Sequence, residues 1–254
     1  MNKVGIYLFS IYVISTAACA DIVESEFAVG VCRFSMTNQF FPVALNFKDL
    51  DGNDNLTISN LFCPMDLYAD PNGDPDLSDC VAVYDGGVGY TNFFYCDLDN
   101  PGDPQWYGDD LVSPASVSFS RGSVVWFIRS TNSTIRTLTV LGRVPDDLNY
   151  EHAQFLAGFS MFGSAYPKKA LFNDMGIDAS VNPEYYLSDE IHVYNGIYYD
   201  TFWYFDYLGA PQWQEYNGEY YEPTDDGLEI GQGAWYKHDH ESTNTVSWTE
   251  MKPY

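Results

Sequence analysis

Positive charge is scarce in this chain. Of 254 residues, 11 are Lys or Arg against 36 Asp or Glu, a formal net charge of −25. Nucleic acid and anionic membrane surfaces are held by clusters of Lys and Arg, so this balance argues against both as partners. Long apolar runs are missing beyond the N-terminus, and no later segment has the ~20 apolar residues that span a bilayer as a helix. The chain has no Gly-x-Ser-x-Gly elbow, no phosphate-binding glycine loop and no His-Glu-x-x-His pair. Acidic pairs decide nothing, because among 36 acidic residues some two will fall within the about 5–9 Å that glycoside hydrolysis needs in nearly any fold. The expectation is a protein that is not an enzyme. Aromatics, by contrast, are plentiful at 17%. That share excludes a disordered acidic tail, which lacks the apolar surface to fold.

The N-terminus reads as an export signal over residues 1–20. Lys3 supplies a positive start, Val4 to Ile14 an apolar run, and Ala18-Cys19-Ala20 the small residues at a cleavage site after Ala20. An acylated Cys19 is the alternative, although Thr16-Ala17-Ala18 lacks the Leu usual three residues before such a cysteine. The expected location is secreted, cell-surface or periplasmic.

One pattern occurs twice. Arg121-Gly-Ser-Val-Val-Trp-Phe127 returns as Ile230-Gly-Gln-Gly-Ala-Trp-Tyr236, Val83-Tyr84-Asp85-Gly86 as Val193-Tyr194-Asn195-Gly196, and Pro104-Gln105-Trp106 as Pro211-Gln212-Trp213. Tyr90 to Tyr95 returns as Tyr199 to Tyr204. Upstream, Phe34-Ser35-Met36 matches Phe159-Ser160-Met161, Pro42 matches Pro167, and Phe47 matches Phe172. The expected organisation is two modules, 21–146 and 147–254, parted at Pro145-Asp146-Asp147. The offset between copies is 125 residues at Phe47 and 110 at Val83, so the first copy carries about 15 extra, assigned to 65–79.

Apart from Cys19, the cysteines are Cys32, Cys63, Cys80 and Cys96, all in the first module. An even number in an exported chain predicts disulfides. Cys63–Cys80 with Cys32–Cys96 is favoured, closing the extra segment at a gain of roughly 3 kcal/mol. Cys80–Cys96, facing each other across a hairpin turning near Val88, is the alternative.

Strand signals dominate. Ala28 to Phe34, Val117 to Phe119, Val124 to Ile128 and Ile135 to Leu141 are rich in β formers, and Asp85-Gly86-Gly87 and Asn195-Gly196 are hairpin signals. Thr243 to Thr249 takes the place of the last strand in the second copy, and Glu151 to Met161 reads as strand despite its apolar stripe. Only Thr57 to Phe62 suggests a helical turn. Short strands separated by turn residues predict a mainly β fold of two tandem antiparallel β-sandwich or small-barrel modules. The order of these motifs, with Leu228-Glu-Ile-Gly-Gln-Gly-Ala-Trp-Tyr236 closest, resembles tandem β modules of secreted bacterial proteins of uncharacterised function. The first copy departs from it with Val124 at the second Gly. The resemblance implies no activity and no catalytic residues.

Three site readings follow. Asp49, Asp51, Asn53 and Asn55, and likewise Asp70, Asn72, Asp74 and Asp76, place oxygens at alternate positions as calcium loops do, though turn chemistry explains the same residues. Calcium is the one candidate cofactor. His238 and His240 offer two ring nitrogens, with Glu241 or His192 as a third ligand, against a solvated turn. Tyr216, Tyr220 and Tyr221 do not recur, unlike Trp106, Trp126, Trp213 and Trp235, and are the expected sugar-stacking surface. Tyr198-Tyr199 and Trp203-Tyr204 add further rings beside carboxylates. The leading expectation is an exported structural, adhesive or protein-interaction component whose partner is another envelope or extracellular protein; the alternative is a carbohydrate-binding module.

Overall fold

The computed structural model describes residues 28–253 except 37, 87–88, 99–101, 156, 178–186, 207–208 and 239–244. The expected signal peptide, Val88, His240 and Glu241 lie outside the described residues. The fold is mainly β, built of several antiparallel sheets in a sandwich-like arrangement. No helix among the described residues is long and apolar enough to cross a membrane.

The first half contains β1 (Val29–Ser35), β2 (Phe40–Ala44), β3 (Asn55–Thr57), β4 (Cys80–Tyr84), β5 (Tyr90–Cys96), β6 (Gln105–Gly108), β7 (Ser118–Ser120), β8 (Val124–Ile128) and β9 (Thr137–Arg143). One short helix, α1 (Ile58–Leu61), sits where a helical turn is expected. The main sheet has the order β2-β8-β4-β5-β6, and the pairs β1-β9 and β3-β7 close over it. Strand alternation sends one face of each strand inward. Phe34 of β1, Val43 of β2, Val81 of β4, Val125 and Phe127 of β8, and Leu138 and Val140 of β9 meet in one core with Trp106.

The second half contains β10 (Asn149–Glu151), β11 (Gly158–Gly163), β12 (Ala170–Leu171), β13 (Asp189–Tyr194), β14 (Tyr199–Asp206), β15 (Pro211–Tyr216), β16 (Tyr221–Pro223), β17 (Gly227–Leu228), β18 (Gly233–His238) and β19 (Thr249–Met251). Its main sheet runs β11-β18-β13-β14-β15-β16, with β12-β17 and β10-β19 as side pairs. Dropping β16, the order matches the first half strand for strand. A separate core gathers Phe162, Phe172, Ile191, Trp213, Tyr236 and Trp248. Each such side chain, fully buried, is worth about 1.5–3 kcal/mol.

Register makes the correspondence residue by residue. Ala82 pairs with Trp126 and His192 with Trp235; Tyr95 pairs with Trp106 and Tyr204 with Trp213. Gly122 and Gly231 start β8 and β18 from turns with φ of 79° and 71°, where a side chain would be strained. Upstream the register departs from the sequence matching. Pro42 and Met161 both pair with the repeated Trp, so Phe159 corresponds to Phe40 and not to Phe34. Ile58 bonds to Val117 as Phe172 bonds to Asp226, which puts Phe172 opposite Ile58 and not Phe47. From Ile58 to Val83 is 25 residues and from Phe172 to Val193 is 21, so this interval differs by 4 and not by 15. Identical letters at Phe, Ser and Met misled the matching because short strands tolerate length changes in the loops before them.

The halves pack through equivalent positions. A Cβ on Gly163 would lie 2.3 Å from that of Ala44, and one on Gly233 would lie 2.3 Å from Val124 Cγ1. Each of these pairs joins corresponding residues of the two halves. Trp126 meets Tyr194 edge-on at 5.7 Å, and the reciprocal pair Trp235 and Tyr84 meets at 4.9 Å. Reciprocal contacts of this kind are what an approximate two-fold axis generates.

Candidate functional site

In β8 the neighbours Trp126 and Phe127 point to opposite faces, and in β18 Trp235 and Tyr236 do the same. Phe127 and Tyr236 fill the cores, which turns Trp126 and Trp235 toward the outer face of each sheet. Two grooves result. The first, of about 500 Å³, is lined by Phe40, Tyr90 and Trp126 of one half and by Tyr194 and Tyr199 of the other, with Asn92 among them. The second, of about 380 Å³, takes Phe159, His192, Tyr199 and Trp235 from the second half and Tyr84 from the first. Corresponding residues therefore build both, and Tyr199 belongs to each. Phe40, Tyr90, Phe159 and Tyr199 remain 43–49% exposed, an unusual state for four large rings on one surface. Burial and the neighbouring hydroxyls of Tyr199 and Tyr84 raise the pKa of Tyr90. The Trp126 side chain is directed at the Tyr90 hydroxyl, an interaction that partly offsets this rise.

The grooves differ in their polar groups. The first has no charged side chain in its lining among the described residues. Beside the second, Lys237 Nζ lies 2.5 Å from Glu190 Oε1, His192 Nε2 lies 2.9 Å from Glu190 Oε2, and His192 Nδ1 lies 3.0 Å from Thr201 Oγ1. Burial opposes the charge of Glu190, but His192 and Lys237 outweigh it and hold its pKa below the ordinary value. The corresponding positions in the first half are Cys80, Ala82, Asn92 and Ile128.

Behind these faces each half holds a buried carboxylate hydrogen-bonded to a basic side chain at the same place. Arg129 Nη1 donates to Asp79 Oδ2 at 2.6 Å, and Ser130 and Tyr68 donate backbone N–H to the same carboxylate. In the second half Asp189 takes the place of Asp79 and His238 that of Arg129, with Tyr236 Oη donating to Asp189 at 2.6 Å. At the junction Arg121 is 1% exposed, paired with Asp54 at 2.9 Å and Asp147 at 2.5 Å, and stacked over Tyr150. Burial raises the pKa of Asp147, but Lys48 and Arg121 more than offset it and bring it down to about 2. Glu250 accepts from Ser164 Oγ at 2.5 Å and lies 3.0 Å from His152 Nε2, whose ring stacks on Trp248. Ser164 and His152 bond to separate oxygens of one carboxylate, an arrangement that does not align a nucleophile with a base, and Asn46 of the first half donates to the Ser164 carbonyl.

The sequence-predicted residues fall elsewhere. Asp49 accepts the backbone N–H of Asn53 at 2.7 Å and its side-chain amide at 2.8 Å, and Asn55 opens β3. Asp70 accepts from the backbone of Asn72 and Asp74, and Asp74 from that of Asp76. Asp51 lies in the exposed tip of its turn. Turn geometry thus accounts for the alternating oxygens, and no group of three or more His, Cys, Asp or Glu able to hold a metal ion occurs among the described residues. The solvated-turn reading of His238 is overturned: it is fully buried against Asp189. His192 projects from the opposite face of the same sheet, so the two do not share a ligand set. Tyr216 and Tyr220 are exposed on the β15–β16 hairpin, while Tyr221 packs edge-on against Trp203 and Phe205. Trp106 and Trp213 are core residues as expected; Trp126 is buried too, but against Tyr194 of the other half and outside the first-half core cluster, and Trp235 is half-buried.

The expected disulfides are not formed, and all four cysteines carry free thiols. Cys32 lies against Gly231 at the junction and Cys96 against Ser78, in different parts of the half, so their pairing does not fit bridge geometry. Burial pushes the Cys32 and Cys80 thiols up to about 12.

The grooves were missed because recurrence of Trp126 and Trp235 suggested core. The signal was present: two adjacent aromatics in a strand face opposite ways, so one of each pair must point to the outer face of its sheet. Among known protein families, curated proteins and solved structures, none matches this chain.

Proposed function

We propose that this chain acts by binding and not by catalysis, as an exported structural, adhesive or interaction protein whose contact surface is the aromatic face at the junction. The observation that supports this reading is the set of half-exposed rings, Phe40, Tyr90, Phe159 and Tyr199, gathered on two corresponding concave sites. Ligand sites are concave, mostly apolar, and carry a few placed polar groups. Asn92, the Tyr90 and Tyr199 hydroxyls and His192 supply those groups. The strong negative charge further supports an extracellular partner that is not anionic.

The test is retention of Asp21–Tyr254 on an array of purified extracellular proteins and of neutral, cationic and anionic glycans. Retention that drops at least tenfold in Tyr90→Ser/Tyr199→Ser supports the reading. Undiminished retention by that variant, or turnover of an array ligand, would sink it.

A further inference from the structure

We infer that the two grooves are paired sites for an uncharged glycan and that one molecule holds two glycan segments running in opposite directions. The inference rests on the binding reading above and names its ligand.

The class of ligand follows from what the grooves offer. Ring faces at Phe40, Tyr90 and Tyr199 suit the apolar faces of a pyranose, and the Asn92 amide with the Tyr90 and Tyr199 hydroxyls suits its hydroxyl groups. Among the described residues the first groove has no carboxylate in its lining to hold an ammonium group and no Lys or Arg to hold a uronate or sulfate. A net charge of −25 adds a field that repels anionic polymers. An uncharged ligand with both apolar faces and acceptor oxygens remains.

The arrangement follows from reciprocity. Trp126 reaches Tyr194 as Trp235 reaches Tyr84. A two-fold relation reverses any direction perpendicular to its axis. A polysaccharide strand has a direction, so one straight strand cannot make equivalent contacts in both grooves. Two strands, or two ends, can. The protein is then a cross-bridge between glycan chains. The grooves are not identical: His192 and Thr201 stand where the first half has Ala82 and Asn92, so their affinities differ.

The experiment is calorimetric titration of Asp21–Tyr254 with neutral hexose hexasaccharides, with glucosamine and uronate hexasaccharides alongside. The wild-type chain is expected to bind two neutral oligosaccharides. Tyr90→Ser, at a half-exposed ring lining the first groove only, should weaken one site about tenfold, equivalent to ~1.4 kcal/mol, and leave the other. Tyr199→Ser should weaken both. Long neutral glycan should turn turbid with wild type and stay clear with Tyr90→Ser. One oligosaccharide per chain, uronate binding as tight as neutral, or an unaffected Tyr90→Ser would overturn the inference. Retention of purified proteins on the array with no glycan bound would overturn it while leaving the binding reading intact; no retention of anything would remove both.

Discussion

Asp189 and His238 share a 2.8 Å hydrogen bond with neither side chain exposed to solvent. Asp79 and Arg129 occupy the corresponding positions at 2.6 Å. One carboxylate is thus kept at the start of β4 and of β13, while its hydrogen-bonding partner differs. Buried charge costs several kcal/mol unless paired and hydrogen-bonded, which is why Asp79 also draws in the N–H groups of Ser130 and Tyr68.

Removing one partner should therefore be costly, and unequally so. Asp79→Ala leaves the Arg129 guanidinium unpaired and should lose about 3–5 kcal/mol in urea unfolding. Asp189→Asn keeps the shape and an acceptor oxygen beside His238, and should lose about 1–3 kcal/mol. Losses under 1 kcal/mol in both would show that the pairs do not hold the sheets.

Acid should weaken the junction in two windows. His152 is buried, and burial outweighs the favourable Glu250, so its folded pKa lies below 6.5. The unfolded chain takes up that proton first, and stability falls as pH drops below 6.5. Asp147, lowered from 3.8 to about 2, contributes above its unfolded value, and that contribution is lost as pH falls from 3.8 through 2. Melting temperature measured against pH should decline in both windows, and His152→Gln should flatten the upper one alone.

Close approach at the pseudo-axis is testable with one atom group. Gly233→Val drives a side chain into Val124 and should cost about 1–3 kcal/mol. Gly108→Ala meets only Asp110 Oδ1 at 3.9 Å and should stay within about 0.5 kcal/mol of wild type. Equal melting curves would place the contact between the halves elsewhere.

Thiol counting separates the structure from the disulfide expectation. Asp21–Tyr254, unfolded without reductant, should titrate four thiols, Cys32, Cys63, Cys80 and Cys96. In the native state Cys63, the one not fully buried, should be alkylated well before Cys32 and Cys80, since only thiolates react and burial suppresses them. Zero thiols would restore the two bridges.

Much of the fold was legible because strand periodicity and turn chemistry are local. Asn195-Gly196 and Arg121-Gly122 mark turns that the structure contains, and the positions Val83/Val193 and Trp106/Trp213 coincide in register. What depends on distant contact was not legible. Phe159 resembles Phe34 by its neighbours, yet its place is fixed by pairing across to Lys237. His238 looks solvated beside Asp239 and His240, but its partner Asp189 lies 49 residues away. Trp126 turns to the outer face of its sheet because Phe127 takes the inward side, a choice settled only once the opposite layer is in place.

Arg143 ends β9 and Asn149 begins β10, so five residues join the halves. So short a tether sets an effective concentration on the order of millimolar or more. A junction held at that concentration persists even when its untethered affinity would be weak. Two separate subunits related by a true two-fold must carry the same residue at each equivalent position. Tethered halves need not: Arg121, buried among Asp54, Asp147 and Tyr150, corresponds to Ile230, packed against the opposite core. The linker therefore frees each side of the junction, and each groove beside it, to specialise without the other.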